Sequence, residues 1–183
     1  MDAAERKNKM NYAQIITSDV ANGTGCRTSL FVSGCTHHCE GCFNKMTWDF
    51  NFGQVFTKEV EDKIIESLKP DYISGLTILG GEPMETVNQK ALKPFIERVR
   101  EAYPQKSIWI YSGYTWEELT DKENKRCHSE DTEDILKGID ILVDGEFVID
   151  KRDITLRYRG SSNQRIIDVK RSLESSKVAL ANI

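Results

Sequence analysis

Between Ser29 and Val143 the chain repeats one unit: a short apolar run, a loop and an amphipathic helix. "SLFVS" (Ser29–Ser33), "GLTILGG" (Gly75–Gly81), "SIWIYSG" (Ser107–Gly113) and Ile139–Val143 read as strands. "NYAQIIT" (Asn11–Thr17) alternates weakly and reads as another. Between them, Val60, Ile64, Ile65 and Leu68 fall at helical spacing, with Thr57 at the N-cap and Pro70 just past the end. Leu92, Phe95, Ile96 and Val99 mark a second helix that stops before Pro104. "TWEE" (Thr115–Glu118) has the form of a capping box, and a further short helix ends at Gly138. Such alternation predicts an α/β fold with a parallel sheet and right-handed crossovers. Sites in such sheets lie beyond the carboxyl ends of the strands. The cysteines, "GGEPM" (Gly80–Met84), "SGYT" (Ser112–Thr115) and "DGE" (Asp144–Glu146) all follow strands, so four loops are expected to open on one rim. The polar stretch Asp121–Asp134 is expected as a surface excursion, and the charged segment after Asp168 is compatible with a helix but has no expected place.

A chain of 183 residues, with 39% apolar and 30% charged residues, suits one soluble globular domain. A net charge of −4 with no basic block argues against gripping a nucleic-acid backbone. No apolar run approaches the roughly 18 residues of a membrane span. The start, "MDAAERKNKM", lacks the apolar core of an export signal, so a cytoplasmic location is expected. Residues 1–9 read as a disordered or cloning-derived lead and 10–183 as a single domain.

Three of the five cysteines fall within "SGCTHHCEGCFN" (Ser33–Asn44). In a chain without an export signal, clustered thiols point to metal or redox work. Cys35, Cys39 and Cys42 are spaced C-x3-C-x2-C. Incidental core thiols are a poor account of a stretch so rich in Gly and His. Structural zinc takes four ligands, usually as two spaced pairs. Cys39 and Cys42 supply one pair, and Cys35, His37 or His38 are at hand to complete it locally. Cys127 and His128 are adjacent and make a poor second pair. A 4Fe–4S cluster held wholly by protein takes four thiolates. Three leave one iron open, and an open position marks a catalytic metal, the vacancy being where substrate binds. In the Gly80-Gly81-Glu82-Pro83 loop, two glycines would let the backbone approach a ligand. Its carbonyls or the Glu82 carboxylate would accept from an ammonium group, although alone these residues also make an ordinary tight turn.

C-x3-C-x2-C after the first strands, with Gly-Gly-Glu-Pro after the next, resembles the radical S-adenosylmethionine enzymes. Within them, "DVANGTGCRTSLFVSGCTHHCEGCFNKMTW", "ILGGEPM", "WIYSGYTWEEL", "DILVDGEF" and "YRGSSNQRII" resemble, in order, the family that activates the anaerobic ribonucleoside-triphosphate reductase. The resemblance runs from about Met10 to Ile167. It implies a partial, open TIM-like β/α barrel with parallel strands. It also implies one 4Fe–4S cluster and S-adenosyl-L-methionine as cofactors. The reaction it implies is reductive cleavage of that cofactor to a 5′-deoxyadenosyl radical, which takes a hydrogen atom from a glycine of the reductase's glycyl-radical subunit. A low-potential electron donor such as flavodoxin would complete the system, and a homodimer is compatible with it. The alternatives are an activase of another glycyl-radical enzyme, such as pyruvate formate-lyase, and a zinc-binding module without catalysis.

By the same resemblance Cys35, Cys39 and Cys42 hold the cluster. Gly41, Cys42 and Phe43 line the adenosyl part of the cofactor, Phe43 being equally readable as a core aromatic. Gly80, Gly81 and Glu82 form the methionine-binding loop, joined by Ser112 on the same rim. Ser161, Ser162 and Asn163 of "YRGSSNQ" serve the cofactor's carboxylate or ribose. Asp144 orients the cofactor, holds a cation or caps a turn. His37 and His38 are expected in solvent or as partners of cluster sulfurs. Cys26 and Cys127 carry no assigned role.

Overall fold

A computed structural model describes residues 10–183, so the lead expected over residues 1–9 lies outside the described residues. Strand β1 (Asn11–Asp19) turns back into β2 (Cys26–Val32), and β3 (Gln54–Val55) follows the cysteine loop. Then come α1 (Lys58–Ser67), β4 (Ile73–Gly80), α2 (Thr86–Ala102), β5 (Ser107–Tyr111), α3 (Trp116–Thr120), α4 (Thr132–Gly138) and β6 (Ile141–Asp144). Strand β7 (Arg165–Asp168) and α5 (Val169–Ser175) complete the order. The described strands form one seven-stranded sheet in the order β3-β1-β2-β4-β5-β6-β7, with its two edge strands unpaired to each other.

The α/β expectation holds, but the sheet is parallel only at its centre. Strands β2, β4, β5 and β6 run parallel, whereas β1, β3 and β7 pair antiparallel. The β1–β2 connection is a tight reversal, too short for the crossover that parallel neighbours require. The capping box at Thr115 is present in full: the hydroxyl accepts from Glu118 N–H and the Glu118 carboxylate accepts from Thr115 N–H. Thr57 sits at the N-cap of α1, although its hydroxyl accepts no helix N–H. The excursion after α3 is anchored rather than merely superficial. Cys127 is fully buried and its carbonyl accepts from Gln89 Nε2 at 2.7 Å. The tail also has a place. Asp168 caps α5 by accepting from Arg171 N–H, and the chain then returns along β7, where Ala181 N–H donates to Ile166 O.

The central strands are two-faced, which their apolar runs conceal. Leu30, Val32, Leu76, Ile78, Ile108, Ile110 and Leu142 join the core under the helices, with Leu92, Phe95, Ile96 and Val99 of α2. The alternate positions carry Arg27, Ser29, Thr77, Trp109 and Tyr111 on the other face, as the period of two requires. Arg27 is fully buried there. Its guanidinium donates to Thr77 Oγ1, Ser107 Oγ and the carbonyls of Leu76 and Ser107, stitching β2 to β4 and β5. It also lies 5.2 Å from the Trp109 ring.

At the opposite end of the parallel strands, Asp140 ties three elements together. It accepts from Arg100 of α2, from Lys170 of α5 at 2.7 Å and from Ile108 N–H of β5 at 2.8 Å. Burial opposes its ionisation, but these donors outweigh it and hold the carboxyl below its usual range. Asp140→Ala should therefore cost roughly 2–4 kcal/mol of unfolding free energy at neutral pH. A carboxylate whose folded pKa is depressed stabilises fully above the unfolded value and loses that contribution as pH falls through the folded one. Denaturant unfolding should show the gap between parent and variant intact at pH 7 and narrowing below about pH 4.

Candidate functional site

All four carboxyl ends of the parallel strands open into one cleft of about 680 Å³. Cys35, His37, Cys39, Gly41, Cys42 and Phe43 follow β2. Gly80, Gly81 and Glu82 end β4, Tyr111, Ser112 and Gly113 end β5, and Gly145 and Phe147 follow β6; all line it. The rim expected from strand polarity is therefore a physical cavity.

The loops are held together by one carboxylate. Glu82 is 1% exposed. Its Oε1 accepts from Ser112 Oγ at 2.8 Å and from Met84 N–H at 2.7 Å, and its Oε2 accepts from Gly113 N–H at 2.6 Å. His37 Nε2 lies 3.1 Å from Oε2, an ionic contact without the alignment of a good hydrogen bond. His37, 3% exposed, donates from Nδ1 to Glu146 at 2.5 Å and packs on Tyr114 at 4.3 Å between centroids. Burial disfavours its charged form, yet Glu82 and Glu146 on its two sides raise its pKa overall. One imidazole ring thus ties the cysteine loop to the β4 and β6 loops. A second carboxylate does similar work: Glu85 accepts from both the N–H and the hydroxyl of Thr36, at 2.8 and 2.6 Å.

The two glycines let this junction close, and both also line the cleft. A Cβ on Gly81 would stand 2.6 Å from the Gly34 carbonyl oxygen, and one on Gly80, at φ +111°, would stand 2.8 Å from Phe31 Cα. Gly81 N–H donates to Val32 O and Glu82 N–H to Gly34 O, both at 2.8 Å. The loop after β4 is laid directly on the backbone that leads to Cys35.

Cys35 and Cys39 sit in an environment that favours the protonated thiol. Burial pushes Cys35 up to about 12, against hydrogen bonds from the loop backbone, and Glu82 and Glu85 add to the rise. Burial also raises Cys39, and Glu146 adds to it. A metal ligand must give up its proton, so metal binding at these two thiols would release protons. Among the described residues no three His, Cys, Asp or Glu side chains gather tightly enough for one metal ion. A single zinc would draw its ligands to about 2.0–2.3 Å from one point. An iron–sulfur cluster instead spreads three thiolates over three irons, and that suits three cysteines placed apart on one cleft wall.

The comparisons with known proteins agree with this donor set. A family model described as a 4Fe-4S single cluster domain matches residues 21–167. An anaerobic ribonucleoside-triphosphate reductase-activating protein of Vibrio cholerae is 44% identical over 159 residues, 86% of this chain and 97% of the relative. One of Escherichia coli K12 is 42% identical over 157 residues, covering 85% and 96%. One of Enterobacteria phage T4 is 37% identical over 158 residues, covering 86% and 93%. The chain belongs to this family of reductase-activating proteins.

In this activator-family chain the remaining expected residues divide. Phe43 is 85% exposed at the cleft mouth, which rules out the core reading. Ser161 is fully buried off the cleft wall, where its hydroxyl accepts from Val148 N–H. Asn163 donates to the Glu146 carbonyl at 2.8 Å and also lies off that wall. Within "YRGSSNQ" it is Tyr158, Arg159, Gly160 and Gln164 that reach the cleft. Asp144 accepts from Trp116 N–H, at the start of α3, and from Arg165, so it orders structure at the strand end. His38 stacks on Trp48 at 4.5 Å. Cys26, the first residue of β2, packs towards the helix-side core, and the Cys127 thiol donates to the Glu118 carbonyl. Sequence reasoning missed Glu85 and Asn88. Asn88 donates to the carbonyls of Ser33 and Glu82, and the only signal was an amide on the buried face of α2.

Glu82→Ala would strand three hydrogen-bond donors and remove the charge beside His37. It should lower unfolding free energy by roughly 3–5 kcal/mol. Ser112→Ala, which removes one partner and leaves the others, should cost about 1 kcal/mol. Chemical unfolding of the two variants beside the parent measures the contrast.

Proposed function

We propose that this chain activates an anaerobic ribonucleoside-triphosphate reductase by reductive cleavage of S-adenosylmethionine at a 4Fe–4S cluster, producing a glycyl radical on the reductase. The observation that carries the proposal is the convergence of Cys35, Cys39, Cys42 and the Gly80–Glu82 loop on one open cleft, in a chain whose relatives are named as reductase activators. The open sheet, with four parallel strands pointing their carboxyl ends at that cleft, suits a partial TIM-like β/α barrel of the radical S-adenosylmethionine type.

In this reading Cys35, Cys39 and Cys42 hold three irons and leave the fourth for the cofactor. When bound, cluster and cofactor together supply one-electron chemistry that ends in methionine, 5′-deoxyadenosine and a glycine that has lost one hydrogen atom. The chain's own residues bind, orient and exclude water. Backbone carbonyls of Gly80 and Gly81 are the acceptors offered to the cofactor's ammonium group, because the Glu82 carboxylate is already engaged by three internal donors and faces His37. Glu82 is thus a positioning residue for both loops. Phe43 and Gly41 offer an aromatic face and a side-chain-free approach for the adenine. Trp48, Tyr111 and Arg159 line the same cleft, and each keeps a buried N–H or O–H without an internal partner among the described residues. The reductase is the implied partner and a low-potential donor such as flavodoxin the implied electron source, with the cytoplasm as the compartment. Among the described residues no helix is long and apolar enough to cross a membrane.

Two experiments test this. Replacing Cys35, Cys39 or Cys42 by Ala should remove most of the iron and sulfide after anaerobic reconstitution, and with it the broad absorption near about 400 nm. Replacing Cys26 or Cys127 should leave both in place. The reduced protein, mixed with S-adenosylmethionine and the reductase, should release 5′-deoxyadenosine and give a glycyl doublet in electron paramagnetic resonance. A doublet obtained only with a formate-lyase, or stoichiometric zinc in place of iron, would overturn the assignment.

A further inference from the structure

The segment "KRDITLRYR" (Lys151–Arg159) contains four cations against one anion, a net +3 inside a chain of net −4. The sequence reading found no basic block because the charges are interleaved with apolar residues. In the fold they gather on one hairpin-like arm. Arg152 bridges antiparallel to Ser161, Ser162 N–H donates to Lys151 O at 2.9 Å, and Asp153 N–H donates to Gly160 O at 3.2 Å. The neck is pinned, and Ile154, Thr155 and Arg157 at the tip are exposed. Among the described residues Lys151, Arg152, Arg157 and Arg159 form no ion pair. The arm's own Asp153 does not neutralise them, since its carboxylate is turned onto Thr155 N–H and Oγ1 at 2.9 and 2.7 Å.

The arm stands at the cleft mouth. Arg152, Ile154, Leu156 and Arg159 line the cleft, while Lys151 and Arg157 are exposed outside it. Ile154 is 86% exposed, and Phe43 and Met46 are also exposed on the cysteine-loop side, at 85% and 64%. Arginines interleaved with exposed apolar and aromatic side chains around a concavity are the composition of a protein-binding surface. A small anion would call for buried, converging donors, whereas two of these cations face open water. A polynucleotide would gain from the cations but not from Ile154 and Met46.

Resting on the reading above, in which a partner protein presents its glycine to the cleft, we propose that the Lys151–Ser162 arm is the docking element for that partner. It takes an acidic segment carrying apolar side chains, next to the glycine-bearing loop. The cations steer and register the encounter, and Ile154 and Phe43 close over the apolar residues.

The test measures binding of the cluster-loaded chain to the reductase's glycyl subunit from the same organism, anaerobically, by biolayer interferometry over a range of salt. Lys151→Glu with Arg157→Glu should weaken binding about tenfold or more, mainly through slower association, and flatten the salt dependence. Ile154→Asp should weaken it through faster dissociation. Lys63→Glu with Lys90→Glu, an equal charge change at exposed positions on α1 and α2, should stay within about twofold. S-adenosylmethionine affinity, by equilibrium dialysis, should be unchanged in the Lys151 and Arg157 variant. The proposal is overturned if that variant binds the reductase like the parent. It is also overturned if its cofactor affinity falls by the same factor, or if the cations prove to serve a single-stranded DNA oligonucleotide instead. A parent chain that does not bind the reductase at all sinks the functional reading itself, whatever the arm variants do.

Discussion

The buried carboxylate of Glu82 is the interaction on which the site depends. A charge taken out of water is tolerable only when donors surround it, and here they come from the β4 loop, the β5 loop and the cysteine loop. That requirement runs both ways. The loops satisfy Glu82, and Glu82 fixes where they end relative to one another. Because β2, β4, β5 and β6 are parallel, their exits lie side by side; Glu82 reaches the exits of β2 and β5 directly and that of β6 through His37 and Glu146. The glycines at 80 and 81 remove the side chains that would hold the β4 exit away from Gly34. The geometry of Cys35 is thereby linked to the geometry of Ser112 through a few directly bonded groups.

A rigid rim has a chemical use. A cofactor bound at an open metal position gains most when its remaining contacts are already in place, since no reorganisation is then needed. The raised thiol pKa values of Cys35 and Cys39 fit the proposal: both thiols favour the proton beside carboxylates, and a bound metal would take its place. Loading with metal and completion of the site are in this account a single event. The cleft stays open at Phe43 and Ile154, which leaves room for a partner's chain rather than an enclosed small substrate.

What could be read from the sequence was local or set by strand polarity. The capping box needs only Thr115 and Glu118, three residues apart, and it forms. The shared rim follows from parallel strands, and the cleft lining bears it out. What could not be read depends on partners distant along the chain. The direction of β1 and β7 is decided by their neighbours in the sheet, so an all-parallel expectation failed at both edges. Glu82 looks the same in sequence whether it meets water, a ligand or His37. The engagement that decides its role comes from residues 45 positions before and about 30 after it. Ser161 carries no mark of the Val148 N–H that claims its hydroxyl. Thr77 interrupts the apolar run of β4 and was the one visible sign of a second face, whereas Trp109 kept the run of β5 apolar and hid it.

The central claim is that three thiolates leave one iron of a 4Fe–4S cluster open to the cofactor. Mössbauer spectroscopy of the protein reconstituted with ⁵⁷Fe, before and after S-adenosylmethionine is added, tests it most directly. The account predicts four irons per cluster, with the isomer shift of a single iron site moving when the cofactor binds and the other three unchanged. Four irons that all stay unperturbed at saturating cofactor, or no cluster spectrum at all, would contradict it.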